Sequence, residues 1–136
     1  MKQVLIDTGP IVALLDTDDR DHARCIRAAR QLSDELLTTW PVLTEAMYLL
    51  SRAPKAQDAL FAWIEDSSLQ AAVLDADDAR EMGALMRKYR DLPMDFADAS
   101  LVRVAGREGI KQVFTLDRRD FSIYQTALGR PFAIVP

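Results

Sequence analysis

The chain has 136 residues, a length typical of one domain, and we expect residues 1–136 to fold as a single domain. Hydrophobic residues make up 49% and charged residues 28%, a composition that supplies a core and excludes intrinsic disorder. The 17 basic and 21 acidic residues give a formal charge of −4, which by itself argues against a nucleic-acid partner.

The pattern of apolar residues predicts strands that alternate with helices along the chain. The first strand ends in Asp7-Thr8-Gly9-Pro10, a sequence typical of the start of a helix. In chain order we predict strand 3–6, helices 10–15 and 21–32, strand 36–39, helices 41–52 and 55–66, strand 69–73, helices 77–90 and 96–108, and strands 112–115 and 132–135. This alternation is typical of an α/β fold with a mostly parallel central sheet.

Several kinds of protein and site are excluded or disfavoured by what the sequence lacks. Its uncharged apolar runs are only a few residues long, so we expect neither membrane insertion nor secretion, and we expect a cytoplasmic protein. With Cys25 and His22 the only residues of their kinds, an internal disulfide, a cysteine-based zinc site and a relay of two histidines are excluded. We predict that His22 is a packing residue with a satisfied hydrogen bond and that Cys25 is a small buried hydrophobe. Any chemistry must therefore come from carboxylates, hydroxyls and the backbone.

Two acidic residues come directly after predicted strands. Asp7 follows the first strand, and Asp117 follows the run 113–116 at the end of the fourth. Ligands of open parallel sheets bind beyond the carboxyl ends of the strands, where the strand order switches direction. We therefore expect Asp7 and Asp117 to face the same crevice.

Three further acids lie at or near the starts of predicted helices. Asp95 fits an N-cap, and Asp98 fits the first turn of the same helix, facing the positive end of its dipole. Glu45 lies at the border of an apolar helix face, where it can reach inward from a rim. Simpler roles remain open for four of these acids. Asp7 and Asp95 could be helix caps alone, and Glu45 and Asp117 could be surface acids, with Glu45 paired to Arg52.

The convergence of these acids favours a metal site over separate structural roles. Carboxylates gathered in one crevice repel one another, so they must raise their pKa values or bind a cation. Hard cations with a preference for oxygen suit a site made only of carboxylates, which points to Mg²⁺ or Mn²⁺.

The acidic motifs, taken together and in this order, resemble those of the PIN-domain ribonucleases, in particular VapC-type toxins. The resemblance extends over nearly the whole chain. It rests on four segments: Asp7-Thr8-Gly9-Pro10 after a strand, Thr44-Glu45-Ala46, Met94-Asp95-Phe96-Ala97-Asp98-Ala99-Ser100-Leu101, and Thr115-Leu116-Asp117-Arg118-Arg119-Asp120-Phe121.

The resemblance implies a three-layer α/β/α sandwich and endonucleolytic cleavage of RNA with Mg²⁺ or Mn²⁺. Asp7, Glu45, Asp98 and Asp117 take the places of the four family acids. Among them Asp7 and Asp98 are the principal metal ligands, and Glu45 holds a second ion or orients the attacking water.

Three residues near the family acids are assigned supporting roles. Thr8 and Thr115 supply hydrogen bonds that orient the carboxylates. Asp95 is an acid that the minimal family pattern does not require, and Asp98 fits the family helix better as the metal ligand. Because water is the nucleophile, we expect products with 5′-phosphate and 3′-hydroxyl ends.

The negative charge is compatible with RNA binding once the site is set aside. Of the 21 acidic residues, five are the site candidates. The remaining 16 acidic residues are balanced by 17 basic residues. Arg118 and Arg119, next to Asp117, are our candidates for binding substrate phosphate. Arginines at positions 20, 24, 27 and 30 follow one helix face, either as a track for phosphates or as partners of nearby acids. Further basic candidates are Arg87, Lys88, Arg90, Arg103, Arg107 and Lys111.

Partners follow mainly from the resemblance. VapC-type toxins are made with a small antitoxin whose C-terminal segment crosses the groove and blocks the acids, and they form dimers. The apolar residues of the helix pair 41–66 suit such a groove or a homodimer face, although about half of them must belong to the core.

Other functions of doubly wound sheets fit the sequence less well. A phospho-receiver module needs an acidic pair after the first strand and a late lysine, and this chain has neither. A phosphatase with an Asp-x-Asp nucleophile is disfavoured because Gly9 occupies the second acidic position. An RNA-processing or RNA-decay nuclease without an antitoxin, and a PIN-like module that only binds metal or RNA, remain as alternatives.

Overall fold

A five-stranded sheet forms the centre of the computed structural model, which describes residues 2–136. Its strands run parallel in the order β3-β2-β1-β4-β5. In this range the elements are β1 (Gln3–Ile6), α1 (Thr8–Leu15), α2 (His22–Gln31), β2 (Glu35–Thr39), α3 (Trp40–Leu49), α4 (Pro54–Glu65), β3 (Leu69–Ala72), α5 (Ala76–Lys88), α6 (Phe96–Glu108), β4 (Gln112–Phe114), α7 (Arg118–Phe121) and β5 (Ala133–Val135).

The strand order changes direction at β1. The chain moves from β1 through β2 to β3 on one side, then crosses back to place β4 and β5 on the other. Leu5 pairs with Leu37 of β2 and with Val113 of β4, so β1 is hydrogen-bonded on both edges. The carboxyl ends of β1 and β4 therefore border the switch point, where ligands of such sheets bind.

Burial on both faces of the sheet explains the composition of its central strands. Val4, Leu5 and Ile6 are fully buried, as are Val113 and Phe114 of β4. A strand covered by helices on each side has no solvent face, so its sequence is a continuous apolar run instead of an alternating one. The predicted α/β fold, a three-layer α/β/α sandwich around a parallel sheet, is confirmed.

Helix boundaries differ from the predicted ones for local reasons. α1 begins at Thr8, two residues earlier than predicted, because Asp7 provides its N-cap. α3 ends at Leu49 instead of residue 52, since Pro54 starts the next helix and disfavours helical backbone at Ala53. The short helix α7 was not predicted.

The packing roles predicted for the histidine and the cysteine are confirmed, with His22 half-buried and Cys25 fully buried. The His22 ring nitrogen Nδ1 lies 2.6 Å from the carbonyl oxygen of Ala13, which ties α2 to α1. Cys25 is fully buried, and burial raises the pKa of its thiol to about 11. Across residues 2–136, none of the helices has the length and apolar character needed to span a membrane.

Candidate active site

A cavity of about 530 Å³ opens at the switch point of the sheet. Among the described residues, its lining includes six carboxylates and no lysine or arginine. The lining residues are Asp7, Thr8, Gly9, Glu45, Leu49, Pro93, Asp95, Asp98, Leu116, Asp117 and Asp120. The structure thus gathers all five predicted site acids, together with Asp120, which was not predicted.

Asp7 is fixed at the end of β1 by hydrogen bonds to both carboxylate oxygens. Its Oδ1 accepts the backbone N–H of Thr8 at 2.8 Å, and its Oδ2 accepts the Thr115 hydroxyl at 2.9 Å. The Thr115 oxygen in turn accepts the backbone N–H of Asp117 at 3.0 Å. Asp7 is therefore a helix cap that also lines the cavity, and Thr115 connects the two strand ends.

Asp95 and Asp98 occupy the first turn of α6. Asp95 is the N-cap, since its Oδ1 accepts the backbone N–H of Asp98 at 2.7 Å, and the predicted cap is confirmed. Asp98 is only 8% exposed. Its Oδ2 accepts a hydrogen bond of 3.0 Å from the hydroxyl of Tyr124, a buried residue that the sequence analysis did not select.

Asp117 and Asp120 repeat this arrangement on α7. Asp117 is the N-cap, and its Oδ1 accepts the backbone N–H of Asp120 at 3.1 Å. One carboxylate oxygen from each of Asp98, Asp117 and Asp120 lies within 4.8 Å of the others. The spacing Asp-x-x-Asp at 117–120 matches that at 95–98, and this repeated cap pattern was the available signal for Asp120 in the sequence.

Glu45 reaches the cavity from α3. Its side chain is exposed, and its Oε2 accepts a hydrogen bond of 3.2 Å from the Thr8 hydroxyl. Glu45 thus accepts a hydrogen bond from Thr8 at the start of α1. The alternative in which Glu45 pairs with Arg52 is not observed among residues 2–136. Thr8 orients Glu45 as Thr115 orients Asp7.

Burial and mutual repulsion shift the pKa values of three acids upward. Burial, followed by the charges of Asp95 and Asp7, raises the pKa of Asp98 to about 7. Burial also raises the pKa of Asp7 to about 6, against the opposing hydrogen bonds from Thr8 and Thr115. The pKa of Asp120 is raised as well, by burial and by Asp117. The cavity therefore favours either protons or a bound cation.

Several basic candidates bind acids instead of facing the cavity. Arg103 Nε and Arg107 Nη1 of α6 contact the two carboxylate oxygens of Asp78 at 2.8 and 2.9 Å. The pKa of the Asp78 carboxyl falls to about 2, because it accepts hydrogen bonds from the backbone of Asp75 and from Arg103. This cluster holds α5 against α6.

The remaining arginines lie at the surface. Arg20 and Arg24 both contact Asp21, at 3.6 and 3.7 Å. These two arginines are therefore partners of a nearby acid, which was one of the two roles predicted for that helix face. Arg118 and Arg119 are exposed and are not among the residues lining the cavity. Nη2 of Arg118 donates to the carbonyl oxygen of Pro136 at 2.8 Å.

Replacement of Thr115 by valine is expected to lower the free energy of unfolding by about 2 kcal/mol. The change leaves the half-buried N–H of Asp117 without its partner and removes a hydrogen-bond donor from Asp7. Urea unfolding measures the change. Thr44→Val is the control, because the exposed Thr44 hydroxyl donates to the carbonyl oxygen of Trp40 within its own helix. For this variant we expect a change within about 0.5 kcal/mol. Equal stability of the two variants would contradict the role assigned to Thr115.

The fold is shared with known proteins. The sequence pattern described as "PIN domain" matches residues 4–127. Ribonuclease VapC26 of Mycobacterium tuberculosis is 27% identical over 135 residues, which cover 98% of this chain and 100% of the relative.

Solved structures give the same result for the fold. The crystal structure of VapC20 from Mycobacterium tuberculosis, described as a Sarcin-Ricin loop cleaving toxin, has a TM-score of 0.78 at 21% identity and covers 85% of this chain and 91% of its own. A toxin-antitoxin complex from Klebsiella pneumoniae has a TM-score of 0.68 at 18% identity, with coverage of 88% and 90%. The predicted resemblance is confirmed, and the chain belongs to the PIN domain family.

Proposed function

We propose that this protein is an endoribonuclease that depends on Mg²⁺ or Mn²⁺ and acts as the toxin of a toxin-antitoxin pair. The observation that carries the proposal is the convergence of six carboxylates in one cavity at the switch point of the sheet. The similarity to Ribonuclease VapC26 over nearly the full length of both chains supports the activity. The single domain proposed for residues 1–136 contains the whole site.

The donor atoms of the cavity fit a hard divalent cation. They are carboxylate and hydroxyl oxygens, the ligands that Mg²⁺ and Mn²⁺ prefer, and within the described residues no histidine or cysteine lines the cavity. Two oxygens bound to one Mg²⁺ at ~2.1 Å lie at most ~4.2 Å apart. The oxygens of Asp98, Asp117 and Asp120, within 4.8 Å of one another, need only small adjustments to meet that limit.

Asp98 belongs to the predicted ligand pair, Asp7 and Asp98. It also belongs to the compact acidic trio formed by Asp98, Asp117 and Asp120. We assign Asp98 and Asp7 as the principal ligands, with Asp117 and Asp120 completing the site directly or through water. When bound, the cation neutralises negative charge on the phosphodiester and promotes formation of a water-derived nucleophile near neutral pH.

The protein supplies orientation and proton transfer around that cation. Glu45, exposed at the rim and held by Thr8, orients the attacking water and accepts its proton. Attack by water on phosphorus breaks the bond to the 3′ oxygen of the preceding nucleotide and leaves a 5′-phosphate and a 3′-hydroxyl. Arg118 and Arg119, exposed beside Asp117, bind flanking phosphates of the RNA.

The surface next to the cavity has the composition of a protein-binding site. Tyr48 is 76% exposed, Leu49 55% and Phe61 54%, and these residues belong to α3 and α4, the predicted partner surface. Leu49 also lines the cavity, so a partner on this surface reaches the acids. We assign it to a small antitoxin or a second copy of the chain, acting in the cytoplasm. The Klebsiella pneumoniae toxin-antitoxin complex supports an antitoxin.

Incubation of the purified protein with total cellular RNA tests the activity. We expect discrete fragments with 5′-phosphate ends in Mg²⁺ or Mn²⁺ and none in EDTA. Sequencing of the fragment ends identifies the target. Cleavage that persists in EDTA would contradict metal dependence. A folded, metal-binding protein that cleaves no RNA would favour the alternative of a binding module.

Co-expression separates the toxin from a decay nuclease. We expect expression of the chain alone to arrest growth, and co-expression with the small open reading frame next to its gene to restore growth. A chain whose activity is unaffected by any neighbouring product would favour an RNA-processing or RNA-decay nuclease.

A further inference from the structure

Tyr124 is a buried residue that contacts the acidic site from behind Asp98. Its side chain is fully buried, and its hydroxyl donates a hydrogen bond of 3.0 Å to Oδ2 of Asp98. Over residues 2–136, Asp98 Oδ1 has no comparable hydrogen bond, so one oxygen of this carboxylate is held and the other remains available to a ligand.

Aromatic contacts fix the position of the Tyr124 ring. The ring centroid lies 5.1 Å from that of Tyr89 and 5.2 Å from that of Phe121, both with edge-to-face geometry. Phe121 packs in turn against Phe132 at 6.0 Å. Because the ring is confined by these contacts, the hydroxyl oxygen has a defined position, and so does the carboxylate that it binds.

Tyr124 also connects the two helices that carry the compact acidic trio. Its backbone N–H donates to the carbonyl oxygen of Asp120 at 3.0 Å, while its hydroxyl binds Asp98 on α6. The Asp117 side chain caps the same short helix through the N–H of Asp120. One residue thereby links the carboxylate of α6 to the carboxylates of α7.

We propose that Tyr124 is a positioning residue that holds Asp98 at the correct distance from Asp117 and Asp120 to bind a divalent cation. The inference rests on the proposed metal-dependent function. A neutral hydroxyl suits this task, because it orients a carboxylate without neutralising the charge that attracts the cation. An arginine in its place would compete with the metal.

Direct measurement of Mn²⁺ binding tests this role. Isothermal titration calorimetry on the metal-free protein is expected to show that Tyr124→Phe raises the dissociation constant about tenfold, the usual effect of losing a hydrogen bond to a metal ligand. Tyr89→Phe is the matched control. It removes the hydroxyl of the neighbouring ring, which accepts the backbone N–H of Gln125. The dissociation constant of this variant should stay within about twofold of the wild-type value.

The outcomes separate this inference from the proposed function. Tight Mn²⁺ binding by the wild type with an unchanged constant in Tyr124→Phe would overturn the positioning role alone. Absence of Mn²⁺ binding by the folded wild type would overturn the metal-dependent function, and the positioning role with it.

A measurement on the wild-type protein remains informative even if Tyr124→Phe does not fold. With tyrosine labelled at the ring carbon that bears the hydroxyl, addition of Mg²⁺ should shift the resonance of Tyr124 and leave that of the exposed Tyr48 in place. A Tyr124 resonance that does not move while Mg²⁺ binds would overturn the proposal.

Discussion

Asp98→Asn is expected to lower the rate of RNA cleavage at least about 100-fold, since loss of a metal ligand removes several kcal/mol of charge stabilisation in the transition state. The amide has nearly the volume of the carboxylate and still accepts the Tyr124 hydrogen bond, so the fold should persist. Asp98 is only 8% exposed and carries an unfavourable charge in the metal-free protein. We therefore expect the variant to be more stable than the wild type at pH 8 in EDTA.

Two matched variants determine whether the loss is specific to Asp98. Asp95→Asn keeps an efficient N-cap, because asparagine caps helices as well as aspartate does, and we expect less than about a tenfold loss of activity. Asp91→Asn changes an acid outside the cavity lining and should leave cleavage unchanged. Initial rates on one RNA at saturating Mg²⁺ provide the comparison. A larger loss in Asp95→Asn than in Asp98→Asn would exchange the roles of the two residues.

The metal-free protein is expected to lose stability as the pH rises from about 4 to about 7. The pKa of Asp98 is about 7 and that of Asp7 about 6, against an ordinary value of 3.8. In this interval the folded state binds more protons than the unfolded state, so the free energy of unfolding decreases with pH. The two acids face Asp95, Asp117 and Glu45, and the total loss amounts to several kcal/mol.

Urea unfolding at pH 5 and pH 8, each in EDTA and in Mg²⁺, measures this dependence. We expect Mg²⁺ to recover most of the lost stability at pH 8 and to have little effect at pH 5, because the cation and the protons compete for the same carboxylates. Asp98→Asn should flatten the pH dependence in EDTA. Stability that increases from pH 5 to pH 8 without metal would contradict the raised pKa values.

The elements that position the site could be predicted from sequence because local patterns determine them. The run Val4–Ile6 is apolar throughout, as a strand buried on both faces requires, and Asp7 follows it as a cap for α1. Asp95 has the spacing of an N-cap. The carboxyl ends of parallel strands meet at one edge of the sheet, and Asp7 and Asp117 could be placed in one cavity for that reason.

Two kinds of feature were missed: a helix too short to show a period, and contacts between distant segments. The helix α7 has four residues, which is too short to show a helical period. Asp120 was therefore not predicted as a site residue. In the sequence, Tyr124 has no feature that distinguishes it from other core aromatic residues. Its hydrogen bond to Asp98 depends on the packing of Phe121 and Tyr89 around its ring. Likewise, Arg103 binds Asp78, a partner 25 residues away that no spacing rule indicates.

The hydrogen bond between Thr115 and Asp7 joins residues that are 108 positions apart. During synthesis on the ribosome, a nascent chain that stops before residue 111 already carries Asp7, Glu45 and Asp98, yet it lacks β4, Thr115 and the whole of α7. Such a chain has no partner for the free edge of β1. Contacts between distant segments form late in folding, so the assembled cavity is among the last features that a growing polypeptide acquires.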